Sequence, residues 1–191
     1  MRGYVLSLWS LIDPIYYHCT RLSYLPSEGS ILRVRLTKYK GRCIVLSDGT
    51  LINKNDLLVK IHLHNVRLLK EIKDINSDLK KAKVIYRYVQ KSLPAVETYI
   101  RNYCNSNEIK GIIGITHINK GCERLGFEVV DIIHPVYKWF KRLAFLSIGV
   151  LSTKDTSIWN ILKQQNPYYL FMSTSKLSNM YGHLNVKKEK L

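Results

Sequence analysis

Lysine and histidine alternate along Lys60-Ile61-His62-Leu63-His64, and Asn65 follows. In a strand, every second residue points to the same side of the sheet, roughly 6.5–7 Å along the backbone, so His62 and His64 come within reach of one ion or group. Two chemistries use that spacing. Two imidazoles can ligate a metal, with Asp48, Asp56 or His117 as the third ligand, but Lys60 on the same side opposes this by placing a positive charge beside the cation. An anion reverses the sign. Lys60, His62 and His64, with Arg67, the first amides of a helix starting after Asn65, and Arg33 and Arg35 if their strand is a neighbour, would surround a phosphate, sulfate or carboxylate. The plain structural alternative is a solvated basic face on which His64 and Asn65 make cap hydrogen bonds. The candidate anion site is therefore Arg33, Arg35, Lys60, His62, His64, Asn65 and Arg67; His62 and His64 are the pair for any metal, and no cofactor is expected.

Other chemistry is thinly represented. Glu123, Glu128 and Asp131 form the one acid-rich segment, and an inward Asp131 beside Leu125, Phe127 and Val129 could act as an acid or base. No Gly-x-Ser-x-Gly occurs, and none of the four cysteines has a histidine at telling spacing. Gly111-Ile112-Ile113-Gly114 lacks the third glycine and the following Lys of a phosphate loop, and reads as tight packing.

The elements that position these residues follow from hydrophobic period. Residues 31–39 alternate, with Leu32, Val34 and Leu36 on one face and Arg33, Arg35 and Thr37 on the other. Asp48-Gly49 between Ile44-Val45-Leu46 and Thr50-Leu51-Ile52 predicts a hairpin, and residues 57–64 a further strand, together a β-meander. Asn65 and Ser77 are the predicted caps of two helices, the second bent or ended at Pro94 and continuing in period to about residue 105. Residues 109–118, apolar on both faces, predict a central strand, joined through Asn119-Lys120-Gly121 in a hairpin to residues 122–131. A helix starts at His134-Pro135, a short one follows around 158–163, residues 168–172 form an aromatic strand, and Ser173 caps a last helix. An amphipathic helix with a break at Pro14 is expected over residues 3–22. The sum is an α+β fold with a mainly antiparallel sheet, built from the N-terminal meander and the later hairpin and packed with several helices. One domain over residues 1–185 and a frayed basic tail over 186–191 are expected.

Thirty Lys plus Arg against fourteen Asp plus Glu give +16 on 191 residues, while 46% hydrophobic content excludes wholesale disorder. The excess is concentrated: residues 31–70 carry nine positive against two negative, and so do residues 135–191. No apolar run reaches the roughly eighteen residues of a transmembrane segment. Four cysteines without a CxxC pair suggest reduced, mostly buried thiols in a cytoplasmic protein. Thirteen tyrosines and the basic excess leave nucleic acid as a lesser candidate partner, although Tyr86, Tyr99 and Tyr103 fall at helical core positions.

The segments 33–39, Ser47-Asp48-Gly49-Thr50, 60–68, Lys110-Gly111-Ile112-Ile113-Gly114-Ile115-Thr116 and Leu125-Gly126-Phe127 resemble the YkoP-like family of bacilli, and the likeness covers nearly the whole chain. Similar domains occur fused to polysaccharide deacetylases, which implies a link to cell-envelope carbohydrate; the resemblance carries over no catalytic residue. The deacetylases' own paired-Asp motif and helical His pair are missing here. The expectation is a cytoplasmic, non-catalytic accessory domain that binds an anionic or carbohydrate-related ligand or a partner enzyme of envelope polysaccharide. Alternatives are a metal-dependent hydrolase or transferase using His62 and His64, and a nucleic-acid-binding protein.

Overall fold

In the computed structural model, described for residues 22–25, 30–72, 74–116, 121–139, 141 and 166–182, the alternation of the sequence becomes a two-faced sheet. Six strands are ordered β1-β2-β5-β6-β8-β7 among the described residues: β1 Ser23–Tyr24, β2 Leu32–Lys38, β5 Leu57–Leu63, β6 Ile109–Thr116, β8 Tyr168–Ser173 and β7 Glu128–Asp131. All neighbours are antiparallel except β5 and β6, which run parallel. A parallel pair cannot be closed by a tight turn. The crossover here carries two helices, α1 Asn65–Ile72 and α2 Asp78–Arg101. The fold is α+β, as its pattern of strands and helices predicts.

One face of the sheet is packed by α2. Leu32 and Val34 of β2, Val59 and Ile61 of β5, Ile112 of β6 and Leu170 and Met172 of β8 meet Leu93, Val96 and Ile100 of the helix. Burying each such side chain contributes about 1.5–3 kcal/mol. Tyr86, Tyr99 and Tyr103 pack against the same core, the role their helical spacing predicts. Ser77 caps α2 by accepting from the Lys80 amide, and Pro94 lies inside the helix, which neither ends nor restarts there. α1 packs Leu68, Leu69 and Ile72 beside Val84, Ile85 and Tyr88 of α2. α3, Thr174–Tyr181, starts from Ser173, whose hydroxyl accepts from the Lys176 amide at 3.0 Å.

The second face is divided. Part is covered by the hairpin β3 Ile44–Val45 and β4 Leu51–Ile52, whose Leu46 and Ile52 close over Leu58, Ile113 and Phe171 with Tyr39. Gly49, at φ 82°, supplies the left-handed position that the Asp48-Gly49 turn requires. This hairpin is a separate two-stranded sheet, so the expected meander is replaced: β2 pairs with β5 and the hairpin folds across the sheet. The expected 109–131 hairpin is also corrected, because β8 lies between β6 and β7. β6 does occupy the middle of the sheet. At Gly111 a Cβ would collide with the Met172 carbonyl oxygen, the tight packing expected of the Gly-Ile-Ile-Gly run.

The cysteine expectation is corrected as well, since Cys43 and Cys104 are exposed. Residues 135–139 and 141 are helical, but Val136 and Trp139, on the expected apolar stripe, are exposed, and Tyr137 is the residue turned to the sheet. The predicted helices over 3–22 and 158–163 and the tail over 186–191 lie outside the described residues.

Candidate functional site

β2 and β5 are antiparallel neighbours, with Arg33 opposite His62 and Arg35 opposite Lys60. Because Leu32, Val34, Val59 and Ile61 turn to α2, these four basic side chains share the other face, beyond the part the hairpin covers. Like charges directly opposite one another in an antiparallel pair oppose its stability. A fifth basic side chain arrives from elsewhere: Lys141 is close enough to bear on both Lys60 and His62. Its helical segment is held over the sheet by Tyr137, which stacks on Tyr169 at 6.3 Å, and the Lys141 ammonium lies 5.3 Å from the Tyr137 ring centre.

Burial and mutual repulsion act in the same direction on this group. Arg33 is 2% exposed, and Arg35, Lys60, His62 and Lys141 are half-buried. Burial, then Lys141 and Arg35, push the Lys60 ammonium down from 10.5 to about 8. Burial, then Lys60, Arg35, Lys141 and Arg33, push His62 down from 6.5 to about 3, so its imidazole is neutral at physiological pH. Lys141 is lowered too, by burial and Arg35. Among the described residues, the charged neighbours that cause these shifts are all cations.

An aromatic ring borders the cluster. Tyr24 is 53% exposed and stands opposite Arg33 in the ladder. Arg33 Nη2 donates to the Tyr24 hydroxyl at 2.7 Å, its guanidinium carbon lies 4.8 Å from the ring centre, and His64 meets the same ring edge-on at 6.1 Å. His64 thus stands beside the cluster through Tyr24.

The remaining predicted residues are placed differently. The His64 carbonyl accepts from the Leu68 amide, so the cap position expected of Asn65 falls to His64, and Asn65 is the first residue of α1. Arg67 is exposed on α1 and acts electrostatically on Tyr88 of α2, in the helical layer. Lys141 was missed by sequence reasoning; its only signal was membership of the second block of positive charge. For a metal, the expected third ligands do not converge: Asp56 accepts from the Asn53 amide within its own turn, Asp48 is at the hairpin tip, and His117 lies outside the described residues. No group of three or more His, Cys, Asp or Glu suited to a metal occurs among the described residues.

A second polar cluster, also missed, joins the hairpin tip to the sheet. Glu128 accepts from the Ser47 amide and from its hydroxyl at 2.6 Å, and lies 3.7 Å from the Lys176 ammonium. The Ser173 hydroxyl donates to Asp48, whose other oxygen accepts from the Thr50 amide. Ser173 is 1% exposed, which hides it from any substrate. Asp131, expected inward, is exposed at the end of β7.

No helix among the described residues is long and apolar enough to cross a membrane. The YkoP domain family's sequence profile matches residues 2–181. The chain is 47% identical over 182 residues to the "Uncharacterized protein YkoP" of Bacillus subtilis, covering 95% of this chain and 98% of that one. No solved structure matches it. The near end-to-end likeness includes β2, β5 and the helical segment that carries Lys141, and the chain belongs to the YkoP domain family.

Proposed function

We propose that this domain binds, without chemical turnover, a ligand bearing a phosphate, sulfate or carboxylate, on the sheet face formed by Arg35, Lys60 and His62 with Lys141 above it, the buried Arg33 adding its charge from within the sheet. The observation that carries this is the pairing of Arg33 with His62 and Arg35 with Lys60, which gathers basic side chains where each raises the cost of the next. A bound anion turns that repulsion into attraction, and does so strongly because the group is partly removed from water. The exposed Tyr24 ring beside Arg33 offers an apolar surface next to the charge, which suits an acidic sugar of the cell envelope better than a bare ion. Non-catalytic binding is favoured because the carboxylates at the hairpin tip are engaged elsewhere: Glu128 by Ser47 and Lys176, and Asp48 by Ser173 and Thr50. A dication at His62 would face the same cations, which disfavours the metal reading. A cytoplasmic place is consistent with the exposed thiols of Cys43 and Cys104.

The test is thermal unfolding with sulfate or phosphate titrated in at ionic strength held constant with chloride. A ligand at about a hundred times its Kd stabilises by about 2.7 kcal/mol. The expected result is a concentration-dependent rise in Tm that Arg35→Ala and Lys60→Ala abolish, and equal melting in chloride, sulfate and phosphate would sink the proposal.

A further inference from the structure

We propose that Lys60 captures its ligand covalently, its amine condensing with an aldehyde or ketone carried beside the carboxylate of a small oxo-acid whose anionic end rests between Arg35 and Lys141. This rests on the anion-binding role above and adds a second functional group to the ligand. The geometry is that of one amine set among other basic side chains: Arg35 stands opposite Lys60 in the ladder, the neutral His62 lies two residues along the same face, and Lys141, on the helical segment, is close enough to bear on Lys60. A guanidinium does not deprotonate, so the burden of reducing charge at the Arg35–Lys60 pair falls on the lysine. With its ammonium pushed down to about 8, roughly a tenth of Lys60 is free amine at pH 7, against roughly one part in 3,000 for an ordinary lysine at 10.5. Desolvation beside other cations is a known way of making a lysine a nucleophile toward carbonyls.

The step balances without any added oxidant or reductant. The Nζ lone pair attacks the carbonyl carbon, the C–O π pair moves to oxygen, and the proton lost from nitrogen is taken up by that oxygen through solvent. The resulting carbinolamine loses its hydroxyl as water to leave a C=N bond. The anionic group, held by Arg35 and Lys141, raises the carbonyl's local concentration, and the product imine keeps the carboxylate in place.

The test incubates the full chain with glyoxylate or pyruvate and traps any imine with sodium borohydride, whose hydride reduces C=N to a stable secondary amine; peptides are then mapped by mass. The expected result is labelling of the Lys60 peptide about tenfold or more above that of exposed Lys54, suppressed by excess sulfate and missing from Lys60→Arg. The map of the unsubstituted chain decides alone if that variant does not fold. Label spread evenly over the lysines, concentrated on Lys141, or insensitive to sulfate overturns covalent capture at Lys60. The same results in a chain that sulfate still stabilises overturn capture while leaving anion binding intact, and a chain that no anion stabilises loses both.

Discussion

His62 and Lys60 place the same electrostatic conflict at two ends of the pH scale. Arg33 and Arg35 face them from β2 and Lys141 from the helical segment, so each folds with its proton disfavoured. Both folded values lie below the unfolded ones, and the unfolded chain therefore binds the extra proton. For His62 the cost appears as pH falls from 6.5 towards about 3; for Lys60 it is present in full below about 8 and is relieved as pH rises to 10.5. His62→Gln is expected to remove a stability loss of about 1 kcal/mol per pH unit between pH 6.5 and 5, above the range where carboxylates titrate. Lys60→Met should flatten the alkaline rise, by at most about 3 kcal/mol at one pKa unit to about 1.4 kcal/mol. Urea unfolding of the three proteins across that pH range checks both, and parallel curves would show that neither group titrates abnormally.

At the scale of elements, local patterns were legible and distant pairings were not. The alternation of residues 31–39 and 57–64 identified β2 and β5 and separated their basic faces from their apolar ones, and Asp48-Gly49 marked the hairpin. What the pattern could not supply was the partner of each strand. β8 inserts between β6 and β7 from about forty residues downstream, a contact that no turn signal announces. Nor could spacing reveal that the hairpin tip is tied down by Asp48 and Ser47 to Ser173 and Glu128, far along the chain. That tie makes its own prediction. Asp48→Ala leaves the buried Ser173 hydroxyl without its acceptor and frees the Thr50 amide, and is expected to cost about 1–3 kcal/mol, whereas Ser175→Ala, an exposed change two residues away from Ser173, should cost under about 0.5 kcal/mol. Denaturant midpoints compare the two directly, and equal midpoints would mean the tie contributes nothing.

For the whole molecule, the +16 charge is two things with different consequences. Arg35, Lys60 and Lys141 are drawn together and partly buried over the buried Arg33, where a compact anion gains most and a stiff polyphosphate backbone has little room. Lys38, Lys40, Arg42, Arg67 and Lys70 are exposed, spread over β2, the turn after it and α1, and act as a diffuse positive field. A diffuse field attracts nucleic acid by counterion release, with an affinity that falls steeply with salt and a slope of about 0.9 per phosphate neutralised. The two populations should therefore separate experimentally. In duplex DNA binding measured across a salt series, Arg35→Ala with Lys60→Ala is expected to lower the slope by less than about 1, because these side chains contact few backbone phosphates. The same pair of substitutions should abolish stabilisation by sulfate, a response governed by contact rather than by long-range field. A fall in the DNA slope of about 2, one per cation removed, would show instead that the clustered residues face a polyanion, and that this sheet face is an open nucleic-acid surface.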